Sequence, residues 1–171
     1  MRVLDSIQSV DRRLLLKMSD SRHPTARFSR LVSRTADGHL YLALPLLLYQ
    51  FVPDGERLLI SCAAAFSIER CIYWCLKKSF KRRRPEQAIP WFRGHIVAAD
   101  EFSLPSGHTS AAFLFVTILV LNLGPSCVPL YAWSYAVAMS RVFLGVHFPS
   151  DTVVGACIGS SIAYLTYLVV V

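Results

Sequence analysis

The chain has 171 residues, the length of one domain. With 54% hydrophobic residues and a mean hydropathy of +0.44, it is too apolar for an ordinary soluble domain of that size. Its formal net charge of +7 is unevenly placed, in basic stretches that alternate with long apolar runs. This is the pattern of a polytopic membrane protein and implies no nucleic-acid partner.

In residues 1–37, Val3, Ile7, Val10, Leu14 and Met18 recur every three or four positions among Arg12, Arg13 and Lys17. The spacing predicts an amphipathic helix lying in the membrane interface. It should stop near Ser21, because His23 precedes Pro24 and that position disfavours helix. A second short helix is expected around 26–35. With no long apolar core and no small-residue cleavage site, a cleaved signal peptide is not expected.

Crossing the hydrocarbon core takes roughly 20 apolar residues at 1.5 Å rise each. Runs 57–76, 106–123, 128–146 and 152–171 are long enough. A further run, 39–52, is short between Gly38 and Pro53, and spans if its helix begins a turn or two earlier, near Arg34. Pro53-Asp54-Gly55 and residues 122–125 carry turn chemistry. The expected fold is an all-α membrane helical bundle of about five transmembrane helices plus the N-terminal amphipathic helix. Residues 1–171 form a single domain on this reading, with 1–37 interfacial and 38–171 the bundle that carries the site.

Three polar clusters interrupt the apolar runs: Lys77 with Arg84-Pro85, then Pro105-Ser106-Gly107-His108, then Ser140-Arg141 followed by His147 and Asp151. Five spans bring all three to one face of the membrane. Lys77, Arg84 and Arg141 supply cations for a phosphate group; the two arginines can bind its oxygens bidentately, while Lys77 acts as a point charge. Residues 105–108 open a helix, where free N–H groups and the positive end of the dipole favour an anion. There Gly107 allows close backbone approach and the Ser106 hydroxyl can donate a further hydrogen bond. Phosphoryl transfer is the chemistry these groups support.

In order and spacing, the clusters resemble the three signatures of the type 2 phosphatidic acid phosphatase superfamily, which includes lipid phosphate phosphatases and is similar to bacterial acid phosphatases and vanadium haloperoxidases. The resemblance implies that His147 is the nucleophile, that Asp151 holds and polarises its ring, and that His108 protonates the departing oxygen. Water activated by His108 then hydrolyses the phosphohistidine. This scheme requires neither metal nor cofactor. Many membrane members have six spans, and the five expected here resemble compact bacterial members that act on undecaprenyl diphosphate.

Taken singly, each cluster has a plainer reading: a basic flank on anionic lipid, a helix start, an interfacial histidine, an ordinary first-turn aspartate. Glu69 and Arg70 lie inside a span, where Arg70 either extends the positive funnel toward Lys77 or forms an internal ion pair with its neighbour. His23, His39 and His95 match no signature and read as interfacial. Cys62, Cys71, Cys75, Cys127 and Cys157 read as small apolar packing residues. Trp91 and Phe92, in the connection 85–104, either cover the site or line a passive interfacial linker.

The site face carries eight basic residues in 1–38, seven in 77–105, and Arg141, whereas the opposite hairpins hold Arg57 alone. By the positive-inside rule the site faces the cytoplasm; by resemblance it faces outward, to the periplasm or lumen. The expected location is the inner membrane, multi-pass, with the bilayer and a membrane lipid as partners. The expected activity is hydrolysis of the terminal phosphate of a lipid phosphate or diphosphate, foremost a polyprenyl diphosphate such as undecaprenyl diphosphate. Phosphatidate, phosphatidylglycerophosphate and lipid A are the alternative substrates. A phosphotransferase and a non-catalytic binder of phospholipid head groups are the alternatives of another kind.

Overall fold

A computed structural model of the chain describes residues 2–19 and 24–170, and among them all regular structure is helical. The helices are α1 Arg2–Ser19, α2 Pro24–Arg34, α3 Gly38–Leu48, α4 Gly55–Phe80, α5 Pro85–Ala88, α6 Gly107–Leu123, α7 Tyr131–Phe143 and α8 Pro149–Val170, with a 3-10 helix, Pro125–Leu130, leading into α7. The expected helix stop near Ser21, and His23 with it, lies outside the described residues. An isolated bridge joins Arg83 to Phe102 across the base of the long connection.

Two of these helices, α4 and α8, are long and apolar enough to cross a membrane, and α3 and α6 are shorter apolar helices. Ile60, Ile68, Ile72 and Trp74 on α4, and Val153, Leu165, Leu168 and Val169 on α8, are exposed large apolar side chains, as lipid-facing positions are. Two expectations from sequence are corrected. Run 39–52 does not begin near Arg34: α2 ends there, residues 35–37 form a turn, and α3 is an 11-residue helix. The turn is held by the Thr35 hydroxyl, which donates to Val32 O at 2.7 Å and accepts from Trp133 Nε1 at 2.8 Å. The run 128–146 is likewise shortened to 13 α-helical residues. Pro129 stands in the 3-10 segment ahead of α7, and after α7 Gly145 takes φ +73°, where L side chains are strained.

Buried on most of its surface, α6 is the central helix: Ala111, Ala112, Leu114, Phe115, Ile118 and Leu119 all lie in the core, against α8, α4 and α7. Its closest partner is α8, and two glycines make that approach possible. A Cβ on Gly155 would stand 2.7 Å from Ser106 O, and one on Gly159 would collide with Ser110 O. Small residues at a helix crossing let backbones meet; here they bring the first turns of α6 and α8 side by side, so that Ser106 N–H donates to Asp151 O at 3.1 Å. A second apolar cluster, Leu15, Ile89, Phe92, Val142 and Phe148, fastens α1 beneath the α7–α8 turn.

Candidate active site

His147 stands on the short turn between α7 and α8. Gly145 makes that turn: a Cβ there would sit 2.7 Å from the Phe92 ring, and the positive φ sends Val146 and His147 back toward the centre of the molecule. The His147 side chain is buried, and its Nδ1 lies 3.6 Å from Asp151 Oδ2 in the first turn of α8. Among the described residues Nδ1 has no hydrogen-bond partner at closer range, so the ring is poised beside the carboxylate rather than already bonded to it. Asp151 Oδ2 accepts the Phe148 N–H at 2.8 Å, and Oδ1 accepts Arg82 Nη1 at 2.5 Å. Burial, together with the charges of Arg141 and Arg84, outweighs Asp151 and lowers the His147 pKa to about 4. The imidazole is therefore neutral at working pH, with a lone pair available.

Arg84 reaches across to the same ring. Its Nη1 donates to Val146 O at 2.6 Å and stands 3.5 Å from His147 Nε2, while Nε donates to Asp100 O at 2.8 Å and Nη2 pairs with the Asp100 carboxylate. Lys77, near the end of α4, donates to Asp100 Oδ2 at 2.5 Å and to Phe102 O at 2.6 Å. The Tyr73 hydroxyl also donates to Asp100 Oδ2. Burial alone would raise the Asp100 pKa; the bonds from Lys77 and Tyr73 and the Arg84 charge reverse this and hold it well below the usual carboxylate range. Asp100 thus sits as an ionised carboxylate between the two cations of the first cluster.

Arg141 is buried on α7 and donates to Ser33 Oγ of α2 at 2.6 Å, leaving its Nε without a partner in the described structure. His108, in the first turn of α6, is partly exposed, with Nε2 3.2 Å from Asp37 Oδ1. A cavity of about 810 Å³ joins these groups, lined by Arg84, Asp100, Gly107, His108, Arg141 and His147 at one end. It continues between α3 and α4 along Leu42, Pro45, Leu46, Leu59, Ala63 and Phe66.

The eight residues singled out from sequence therefore converge, in two layers. Arg84, Gly107, His108, Arg141 and His147 line the cavity, while Lys77, Ser106 and Asp151 stand behind it. Ser106 holds the N-cap position of α6, and its hydroxyl lies 2.9 Å from the Thr109 hydroxyl rather than capping a backbone N–H. Gly107 lies under the Tyr73 ring, where a Cβ would meet Cε2 at 2.9 Å. Arg70 forms the ion pair raised as one alternative, with buried Glu69 at 2.6 Å, and it also lines the cavity. Trp91 is exposed and Phe92 is a core residue, so the two do not act together as a cover. Asp11, Ser33, Asp37, Tyr73, Arg82 and Asp100 were not assigned to the site from sequence, because their partners lie 16 to 139 positions away and leave no local spacing to read. Among the described residues, no group of three or more His, Cys, Asp or Glu could hold a metal ion.

Residues 57–171 match the sequence model of the PAP2 superfamily. The chain is 30% identical over 126 residues to the decaprenylphosphoryl-5-phosphoribose phosphatase of Mycobacterium tuberculosis, an alignment covering 71% of this chain and 67% of that protein. Its fold is similar to that of Aquifex aeolicus LpxE, with a TM-score of 0.78 and 26% identity, over 90% of this chain and 92% of that one. It also resembles the first transmembrane PAP2 type phosphatidylglycerolphosphate phosphatase from Bacillus subtilis, with a TM-score of 0.75 and 24% identity, over 94% of this chain and 84% of that one.

Proposed function

The chain belongs to the PAP2 superfamily and is a phosphatase as its relatives are, and from that premise we propose that it removes the terminal phosphate of a membrane lipid phosphate or diphosphate through phosphohistidine at His147. One observation carries this reading: the cavity that exposes His147, His108, Arg84 and Arg141 runs on without a break into an apolar groove between α3 and α4. From Tyr73 to Leu59 along α4 the groove follows 14 residues, about 21 Å at helical rise. A phosphate at the polar end and an acyl or prenyl chain along the groove match an amphiphilic substrate entering from the bilayer.

In the first step the Nε2 lone pair of neutral His147 attacks phosphorus, the bond from phosphorus to the leaving oxygen breaks, and His108 gives that oxygen its proton. Arg84 and Arg141 hold the equatorial oxygens, and Asp151 takes up the Nδ1–H as positive charge develops on the ring. Seating the phosphate displaces the Asp100 carboxylate from Arg84 and Lys77. In the second step His108 removes a proton from water, the new oxygen attacks phosphorus, and the P–N bond breaks to free His147. Asp37, beside His108 Nε2, fixes the orientation of that ring.

We assign the chain five spans, formed by α3, α4, α6, the 3-10 segment with α7, and α8, with α1 and α2 in the interface and residues 1–171 one domain; α3, at 11 residues, is short for the core and crosses by local thinning of the bilayer and snorkelling of flanking residues. We place it in the inner membrane with the site on the outer, periplasmic face; Lys77, Arg82, Arg84 and Arg141 all have internal partners, so these cations are spent on the site rather than on orientation. A polyprenyl diphosphate such as undecaprenyl diphosphate is the favoured substrate; the decaprenyl compound named for the mycobacterial relative shares its polyprenyl tail. Phosphatidylglycerophosphate is next, and is named for the Bacillus subtilis protein; phosphatidate and lipid A follow.

The test is phosphate release by purified protein in EDTA from undecaprenyl diphosphate, phosphatidylglycerophosphate, phosphatidate and lipid A in parallel, with His147→Ala as control. Release that depends on His147 and is fastest on the diphosphate is expected. Equal release by the His147→Ala protein would overturn the mechanism, and a faster rate on another lipid would overturn the substrate order.

A further inference from the structure

Behind His147 lies a chain of charge that reaches the N-terminal helix. Asp151 Oδ1 accepts Arg82 Nη1 at 2.5 Å, and Arg82 Nη2 donates to Asp11 Oδ2 at 2.6 Å. Asp11 belongs to α1, outside the residues that match the family model. It is held in turn by the turn that carries the nucleophile: Ser150 N–H donates to Asp11 Oδ1 at 2.9 Å and Ser150 Oγ to Asp11 Oδ2 at 2.5 Å. Arg82 Nη1 also donates to Ser150 Oγ at 2.7 Å, and its guanidinium lies 4.6 Å over the Phe148 ring. Asp11 and Asp151 are 3% and 0% exposed, so their mutual field is weakly screened by water.

The charge count decides what Asp11 does. Asp151 with Arg82 alone is a neutral pair, and a neutral pair offers little to an imidazole that becomes cationic as Nε2 bonds phosphorus. Asp11 engages the other face of the same guanidinium, so the three groups together carry one net negative charge, with one Asp151 oxygen left turned toward Nδ1. We propose that Asp11 is a positioning residue for phosphoryl transfer: by neutralising Arg82 it keeps the negative charge of Asp151 available to His147, while Arg82 locks the carboxylate in place. This inference rests on the phosphohistidine reading. It makes the amphipathic helix α1 part of the catalytic apparatus as well as a membrane contact. Burial would lower the Arg82 pKa, but Asp151 and Asp11 raise it overall, so the guanidinium stays charged throughout.

Two roles for Asp11 give opposite results in a double-mutant cycle. If Asp11 offsets Arg82, its charge matters only while Arg82 is present. Asp11→Asn should lower kcat at least about tenfold with KM within about twofold. In an Arg82→Gln background the same change should cost less than about threefold, so that the double variant is faster than the product of the singles requires. Asp11→Glu, which keeps the charge, should recover most of kcat. Where Asp11→Asn does not accumulate as folded protein, Asp11→Ser removes the same charge with a smaller, hydrogen-bonding side chain. Phosphate release is measured on the full chain in mixed micelles, beside wild type and His147→Ala. An unchanged kcat in Asp11→Asn, an equal cost with and without Arg82, or a loss confined to KM overturns the proposal. If wild type and His147→Ala release phosphate alike, the phosphohistidine reading itself has failed, and the two failures are thereby separate.

Discussion

The two histidines of the site live in different surroundings. His147 is buried, backed by Asp151, Arg82 and Asp11 from two other helices and the connecting strand of chain. His108 is partly exposed at the cavity mouth, and its acidic neighbour Asp37 is a solvent-facing residue in the α2–α3 turn. A nucleophile profits from fixed geometry, because attack on phosphorus tolerates little error in direction. A group that gives a proton to the leaving oxygen, and later takes one from water, needs access. On the roles proposed for them, the contrast teaches that this fold spends its buried ionic groups on the nucleophile and leaves the acid side open to substrate.

The largest effect should come from breaking the open side. His108→Ala is expected to lower phosphate release by about a hundredfold to ten-thousandfold, while the protein still inserts and still takes up label at His147 from a substrate with a good leaving group. Loss of labelling as well would show that His108 serves the nucleophile and not the leaving oxygen. A smaller, opposite effect is expected where the cations meet their internal carboxylate. Asp100→Asn removes a charge that competes with phosphate for Arg84 and Lys77, so inhibition by inorganic phosphate should tighten several-fold. Weaker inhibition would mean that Asp100 orients the cations rather than occupying their place. The smallest effect concerns pH. With the His147 pKa lowered to about 4, the ring stays neutral as pH falls from 7 to 5, and on a substrate whose leaving group needs no proton from His108 the rate of phosphoenzyme formation should change by less than about twofold over that interval. Protonation removes the lone pair, so the rate falls only as pH nears 4. A midpoint near 6.5 would show that burial does not set the state of the ring.

Much of the site was legible because its signatures are local. Lys77 with Arg84, residues 105–108, and His147 with Asp151 keep short internal spacings, and the folded bundle gathers all three around one cavity. The charged partners were not legible for the converse reason. Asp11 meets Ser150, Ser33 meets Arg141 and Asp100 meets Lys77 only after the bundle has folded. The helical class followed from hydropathy alone, but the boundaries did not. Apolar composition is as high in 39–52 as in a full span, yet the Thr35 turn and its Trp133 partner fix where α3 begins. At the other end of the site, Gly145 stops the reach of α7 because the chain must fold back over Phe92. Neither the Thr35 turn nor the Gly145 reversal can be inferred without its distant neighbour.

The most direct test of the account is to quench the enzyme during turnover of a lipid substrate carrying labelled terminal phosphate, and to map the labelled residue by mass spectrometry under alkaline conditions that preserve P–N bonds. The account predicts label on His147, formed and lost fast enough to support the steady-state rate. Label on another residue, or full turnover with no phosphoenzyme at His147, would contradict it.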